Sequence, residues 1–158
     1  MKDSTKKKRM HPLLSWDIIA DRMTGQVPDK DLKALQELKK KYKWNVNITT
    51  LLKSAFDAIV ITDVQENICW TSKGFEQMTG YKVSFARNKK PTFLQGAKTN
   101  QASKVKIREA INRRQPVSET VINYRKDGSE YTCRVAISPL YNSENTLTHF
   151  IALESEVN

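Results

Sequence analysis

The sequence predicts an α+β domain built on a five-stranded antiparallel sheet, with short helices on one face and a helical extension at the N-terminus. Three observations carry this prediction. Amphipathic helical patterns come first, a β-branched hairpin begins near residue 58, and three strand-like runs follow one longer helix. Strands and helices that are segregated along a chain are typical of an α+β fold.

Length and charge divide the chain into three parts. The 158 residues suit one domain with an appendage: a disordered basic start at 1–10, a helical extension at 11–55 and a domain at 56–158. The net charge of +10 is concentrated toward the start, where Lys6 to Arg9 form a basic run. We expect no nucleic-acid partner, because no aromatic residues interleave with these charges, and association with nucleic acid through the start is the weaker alternative.

The sequence indicates a cytoplasmic protein without a membrane partner. No apolar run approaches the length of about 18 residues that a membrane span needs. Cys69 and Cys133 lie on strand-like runs without metal-ligand or redox spacing, which indicates reduced thiols and no metal site.

Helical patterns fill the extension. The first runs over 11–23, with Ser15 as its N-cap and Trp16 in the first turn. The second starts at Asp29, where acids occupy the first turn and lysines the last. A short third helix is expected over 50–55.

The first half of the domain is expected to form a hairpin and two helices. β-Branched runs at 58–63 and 68–71 predict the hairpin. A short helix at 73–79 ends at Gly80, and 81–90 is predicted to be a polar loop or broken helix. Asn100 caps a helix that continues through Arg113.

Three strands are predicted after Pro116. The run 117–124 enters a tight hairpin at Asp127-Gly128, and apolar residues alternate along the return strand from Tyr131 to Ile137. The last strand is expected at 148–154.

Several motifs resemble those of the PAS domain family. They are G-F-E-Q-M-T-G-Y at Gly74 to Tyr81, F-L-Q-G at Phe93 to Gly96 and N-Y-R-K-D-G at Asn123 to Gly128. The resemblance covers about two thirds of the chain, from Phe56 to Val157. It implies a sheet with strand order 2-1-5-4-3 that curls around a small-molecule cavity, and a role in sensing or protein association.

Within that family the chain is most similar to the flavin-binding light-oxygen-voltage class, from which it departs at several positions. The pattern of that class is G-R-N-C-R-F-L-Q. When it is aligned on Phe93, Pro91 stands in place of the reactive cysteine, Lys90 in place of the preceding asparagine and Thr92 in place of the following arginine. Cys133 and Glu154 fall where flavin amides are expected, so only Gln95 and Asn123 remain. Because a flavin would lose most of its polar partners, this comparison predicts against flavin and leaves the cofactor unknown.

The resemblance implies a set of ligand-binding residues. They are Phe75, Met78, Phe93, Gln95, Asn123, Tyr131, Cys133, Phe150 and Glu154. In one hypothesis they bind a small ligand and the chain is a sensory module. In the other the large side chains fill the space themselves, and the chain is a ligand-free dimerisation or partner-binding module. Burial is expected to raise the pKa of Glu154 unless a donor pairs with it.

No catalytic arrangement is recognisable. His11 and His149 are far apart along the chain, and neither stands beside a Ser, Cys or carboxylate in a nucleophile motif. We expect that the protein is not an enzyme and that its output passes through an effector protein.

The apolar stripe of the extension predicts a homodimer. The proposed interface residues are Trp16, Leu32, Leu35, Leu38 and Tyr42. The alternative is that the same stripe covers the outer face of the chain's own sheet.

Overall fold

The computed structural model describes residues 27–158. The expectations for 1–26, namely the basic start, the helix at 11–23 and the role of Trp16, lie outside the described residues. Within 27–158 the helices are α1 (Asp29–Tyr42), α2 (Ile48–Leu51), α3 (Lys73–Thr79), α4 (Val83–Ala86), a 3-10 helix (Pro91–Leu94) and α5 (Gln101–Asn112).

The strands are β1 (Ala58–Asp63), β2 (Ile68–Thr71), β3 (Val117–Tyr124), β4 (Glu130–Tyr141) and β5 (Leu147–Glu156). They form one antiparallel sheet in the order β2-β1-β5-β4-β3. The predicted fold class and the strand order that the resemblance implies are therefore confirmed. Because β5 lies between β1 and β4, the last strand joins the two hairpins into a single sheet.

Local chemistry explains where the helices begin and end. The carboxylates of Asp29 and Asp31 interact favourably with the positive N-terminal end of the α1 dipole. Lys43 ends the helix in a left-handed conformation. The Asn47 side chain accepts a hydrogen bond from the Thr50 amide, so α2 begins at Ile48 and ends at Leu51, earlier than the predicted helix at 50–55. Asn100 caps α5 by accepting from Ala102 N.

Strand β4 extends further than expected, through Pro139 to Tyr141. Proline cannot donate a hydrogen bond to a sheet and is therefore restricted to positions with a free edge. Strand β3 begins at Val117, opposite Ile137, so that Pro139 pairs only with Phe150 of β5. The second neighbour that would exclude proline does not extend to this position.

The two faces of the sheet form two separate cores. On the inner face, Ala58 and Val60 pack with α3 and the 3-10 helix through Phe75 and Leu94. On the outer face, Ile59, Ile61 and Ile151 pack with Leu35 of α1 and with Trp44. Alternation along β1 and β5 divides their side chains between these cores.

Leu35 was predicted to be buried between subunits or beside that interface, and the structure places it inside its own chain. Leu35 is 0% exposed within one chain, because α1 covers the outer sheet face of its own chain. Leu32, Leu38 and Tyr42 are half-buried against the same core. The apolar stripe is thus used within the chain, which leaves Leu35 no surface to offer a second copy.

Candidate functional site

A cavity of about 100 Å³ lies between the inner sheet face, the 3-10 helix and α5. Its walls are mostly apolar. Residues from four strands, the 3-10 helix and its C-cap, α5 and the β1–β2 turn line it: Val60, Thr62, Glu66, Pro91, Thr92, Leu94, Gln95, Ile107, Ile111, Val121, Asn123, Val135, Ile137, Phe150, Ala152 and Glu154.

Short hydrogen bonds fix the polypeptide that follows the 3-10 helix against β3. Thr99 Oγ1 donates to the Ile122 carbonyl at 2.6 Å and accepts from Gly96 N at 2.9 Å. A Cβ on Gly96 would overlap the ring of Tyr124, so that only glycine allows this close approach. The segment then lies near enough for Gln95 to form a β-bridge with Asn123.

Two polar side chains of the cavity wall lack partners. Asn123 is 5% exposed and Glu154 is 3% exposed, and within 27–158 neither Asn123 Oδ1 nor Glu154 Oε2 has a hydrogen-bond partner in the protein. Burial raises the pKa of Glu154 to about 7, because desolvation penalises the charged carboxylate. The wall therefore carries a carboxyl group that keeps its proton up to about neutral pH.

Tyr131 and Cys133 on β4 lie close to these groups in the buried core. Tyr131 faces Asn123 in the register of β3 and β4. Its hydroxyl has no partner in hydrogen-bond geometry within 27–158, although the Asn123 side chain acts to lower its pKa against the larger effect of burial. Burial, and then the charge of Glu154, raise the pKa of the Tyr131 hydroxyl and of the Cys133 thiol. Both groups are therefore neutral near pH 7, so the core beside the cavity carries no fixed charge from them.

The structure brings together part of the predicted ligand-binding set. Gln95, Asn123, Phe150 and Glu154 line the cavity. The others do not: Phe75, Met78, Tyr131 and Cys133 are buried in the core beside it, and Phe93 is half-buried against that core.

Sequence reasoning missed most of the apolar wall. Val60 and Thr62 lie two residues apart on β1, Val135 and Ile137 on β4, and Ala152 stands two residues before Glu154. The period of two along a strand was the signal that could have found them, once a single inward residue on each strand was known.

Comparisons with known proteins agree with this fold and site. A family model for the PAS domain matches residues 57–157. A blue-light photoreceptor of Listeria innocua serovar 6a is 32% identical over 117 residues, which cover 73% of this chain and 46% of that protein. The chain spans less than half the length of the curated relatives that it matches, between 14% and 46% for four of them.

Solved structures of light-oxygen-voltage domains are also similar. The light-state domain of the blue-light photoreceptor Aureochrome1 has a TM-score of 0.64 at 29% identity, covering 71% of this chain and 90% of that one. A light-oxygen-voltage domain studied with a flavin analogue has a TM-score of 0.65 at 27% identity, covering 72% and 87%.

These likenesses overturn the prediction against flavin, which is wrong because it counted Glu154 only as a lost partner. The unpaired atoms of the wall fit the polar edge of a flavin ring, which carries both N–H and C=O groups. A protonated Glu154 donates a hydrogen bond, and the Asn123 amide both donates and accepts. Pro91 stands in place of the reactive cysteine, so it removes a thiol reaction and not the binding of a ligand. With a family model that matches residues 57–157 and a sheet in the order that the family implies, the chain belongs to the PAS domain family.

Proposed function

We propose that the chain is a sensory module whose cavity binds a small planar ligand of the flavin class and whose output passes through a partner protein. One observation carries this proposal. Asn123 Oδ1 and Glu154 Oε2 are buried without partners in the same cavity, and a buried unpaired polar atom costs about 1–3 kcal/mol. A ligand with a complementary polar edge would recover that cost.

The residues divide into two roles toward such a ligand. Asn123, Gln95 and the protonated Glu154 would bind its polar edge, and side chains such as Leu94 and Phe150 would exclude water from its apolar part. A bound flavin would supply light absorption or electron exchange. Pro91 in the wall carries no sulfur, so this wall offers no thiol at the position where the resemblance places a reactive cysteine.

The volume of the cavity sets a condition on binding. About 100 Å³ is below the range of roughly 300–1,000 Å³ that is typical of ligand pockets. A planar ring system can therefore enter the cavity only if some of the cavity walls move apart. The sheet is held by ladders on both sides of β5, so the 3-10 helix and α5 are the walls that we expect to move.

Absorbance and native mass spectrometry test the proposal. The intact chain is purified after expression with added riboflavin, and also mixed with riboflavin, FMN or FAD. We expect added mass, a flavin absorption band and a raised melting temperature. Asn123→Ala should weaken these effects, whereas Glu144→Gln, at an exposed hairpin position, should not. If no flavin adds mass or changes melting, the flavin proposal is refuted.

The small cavity favours a second candidate, a ligand-free association module. Four of the nine predicted ligand residues already fill the core beside the cavity. In that case Asn123→Leu, which removes an unpaired polar group, would stabilise the protein without loss of partner binding. A ligand that copurifies with the chain would exclude this candidate.

We further propose that the module is not itself an enzyme and works in the cytoplasm. The unpaired thiols of Cys69 and Cys133 support a reducing compartment. No helix in the part of the chain that the structure describes is long and apolar enough to span a bilayer. The homodimer stays a prediction, as does an output through an effector protein.

A further inference from the structure

A group of three aromatic rings reaches the surface beside the cavity. Tyr81 and Phe85 stack with ring centroids 4.9 Å apart, and Phe93 meets both rings edge-on at 5.1 and 5.8 Å. Phe85 is 47% exposed, although it is a large apolar side chain on a short helix. Packing within the domain thus leaves part of the cluster uncovered.

Basic residues flank these rings along the chain. Lys82, Arg87, Lys89 and Lys90 are all exposed, and the stretch 80–92 contains no acidic residue. Within 27–158 none of the four forms an ion pair. The nearby Asp63 carboxylate accepts hydrogen bonds from Gln65 and Asn67 instead. We call Tyr81, Phe85, Phe93 and the four cations the aromatic-basic patch.

The aromatic-basic patch shares a short element with the cavity wall. Phe93 stands on the same 3-10 helix as Pro91, Thr92 and Leu94, which line the cavity. A displacement of that helix therefore moves both surfaces. At the other side, Asn88 N donates to the Ile68 carbonyl and Ile68 N donates to Lys89 O, which ties the patch to the edge of β2.

We propose that the aromatic-basic patch is a docking surface for an acidic peptide segment of a partner protein, in which an apolar side chain lies next to carboxylates. The apolar side chain would contact the exposed edge of Phe85, and the carboxylates would pair with the surrounding cations. Four cations that form no ion pair within 27–158 match the charge of such a segment.

The ring geometry favours a peptide over single-stranded nucleic acid. Nucleic acid binds aromatic platforms by stacking bases on free ring faces. Here Phe85 is stacked on Tyr81, and the Lys89 ammonium stands over the Phe85 ring, 4.3 Å from its centroid. What the patch exposes is ring edge and charge, which suits an apolar side chain flanked by carboxylates.

Fluorescence anisotropy with the intact chain tests the docking surface. The probe is a labelled synthetic peptide with a phenylalanine flanked by glutamates. The control peptide has the same sequence with glutamine in place of each glutamate. The patch variant combines Phe85→Ser with Lys82→Gln, Lys89→Gln and Lys90→Gln. The matched control variant combines Val105→Ser with Lys104→Gln, Arg108→Gln and Arg113→Gln. It removes the same number of charges near Val105, an exposed apolar residue of α5 that lies outside the patch.

We expect the glutamate peptide to bind the intact chain, and the patch variant to bind it about tenfold more weakly than the control variant does. Equal losses in the two variants would reduce the effect to net charge, and equal binding of the glutamine peptide would show that the carboxylates do not contribute. Either result would overturn the proposal. Tighter binding of oligothymidine that is lost only in the patch variant would assign the surface to nucleic acid instead. No cavity ligand enters this experiment, so its failure leaves the proposed sensory function standing.

Discussion

At the scale of single residues, the carboxyl group of Glu154 connects the stability of the fold to pH. Its pKa is raised by burial from 4.5 to about 7, so the folded chain holds a proton that the unfolded chain releases. In the window between these values the free energy of unfolding falls as pH rises, and the loss is complete above the folded pKa. The carboxylate form is the destabilising one.

The variant Glu154→Gln should therefore be more stable than the natural chain at about pH 8, by roughly 1–3 kcal/mol, and about equally stable near pH 4. Glutamine keeps the size and the hydrogen-bonding groups of the side chain but cannot ionise. Urea unfolding at both pH values measures the difference. Glu144→Gln is the exposed control. If both variants change the free energy of unfolding equally at the two pH values, Glu154 is not buried in the cavity wall.

Gly74 shows a steric constraint at the same scale. A Cβ at this position would overlap the carbonyl oxygen of Asp57, where α3 passes over the start of β1. We expect Gly74→Ala to lower the free energy of unfolding by about 1–3 kcal/mol, although alanine favours helices. Gln77→Ala at an exposed position of the same helix is the control for helix propensity. A stabilised Gly74→Ala variant would contradict the close approach.

At the scale of elements, α1 acts as a cover for the outer sheet face. Leu35→Ala should cost about 2–5 kcal/mol, because it leaves a cavity between α1 and the sheet. The loss should be the same at low and high protein concentration, since Leu35 contacts only its own chain. Urea unfolding over a wide concentration range measures it. If the loss in free energy of unfolding caused by Leu35→Ala grows on dilution, Leu35 lies at a subunit interface.

A polar cluster at the end of α1 secures this cover. Trp44 Nε1 donates to Thr148 Oγ1 at 3.0 Å and lies 3.3 Å from His149 Nδ1, and Tyr42 packs on the His149 ring. Burial lowers the pKa of His149, the charge of Lys41 lowers it further, and Asp63 opposes both. The neutral ring is the form that the folded chain favours.

Acidification should therefore weaken the fold through His149. Below the ordinary pKa of 6.5 the unfolded chain takes up the proton first, so the free energy of unfolding falls until the lower folded pKa is reached. Comparing the natural chain with His149→Asn at about pH 8 and about pH 5 isolates this effect from that of Glu154. We expect the difference in stability between them to shrink toward acid. His11→Asn is the control, and a constant difference would refute the prediction.

The elements differ in how far the sequence predicts them. The bounds of β1, β2 and α3 follow from β-branched runs and from Gly80, and the structure has these elements where they were expected. Strand β4 was predicted to end before Pro139, because the sequence does not show that β3 begins only opposite Ile137 and leaves Pro139 a single neighbour. The position of α2 depends on the side chain of Asn47, which caps the helix and was not recognised as a cap in the sequence.

The site was predictable only in part for a similar reason. Asn123 and Glu154 came from motif position, and the structure places both in the cavity wall. Whether Phe75 or Met78 lines the cavity or fills the core beside it depends on distances between packed elements. No periodicity in the sequence encodes those distances.

At the scale of the whole molecule, the two cores make the extension part of the domain. A chain that begins at Thr49 would expose Ile59, Ile61 and Ile151, because the cover formed by Leu35 and Trp44 is gone. We expect this shortened chain to self-associate in light scattering, whereas the intact chain stays a defined species. A shortened chain that is monomeric at high concentration would show that the outer core is dispensable.

The central position of β5 also has a consequence for biosynthesis. On the ribosome, β1 with β2 and β3 with β4 can each emerge and pair as hairpins, but their shared neighbour is the last strand of the sheet to be made. Until Leu147–Glu156 leaves the exit tunnel, both hairpins present unpaired edges and apolar faces. The nascent chain is therefore most exposed to aggregation and to chaperones immediately before β5 is made, and the strand that carries Glu154 ends that exposure.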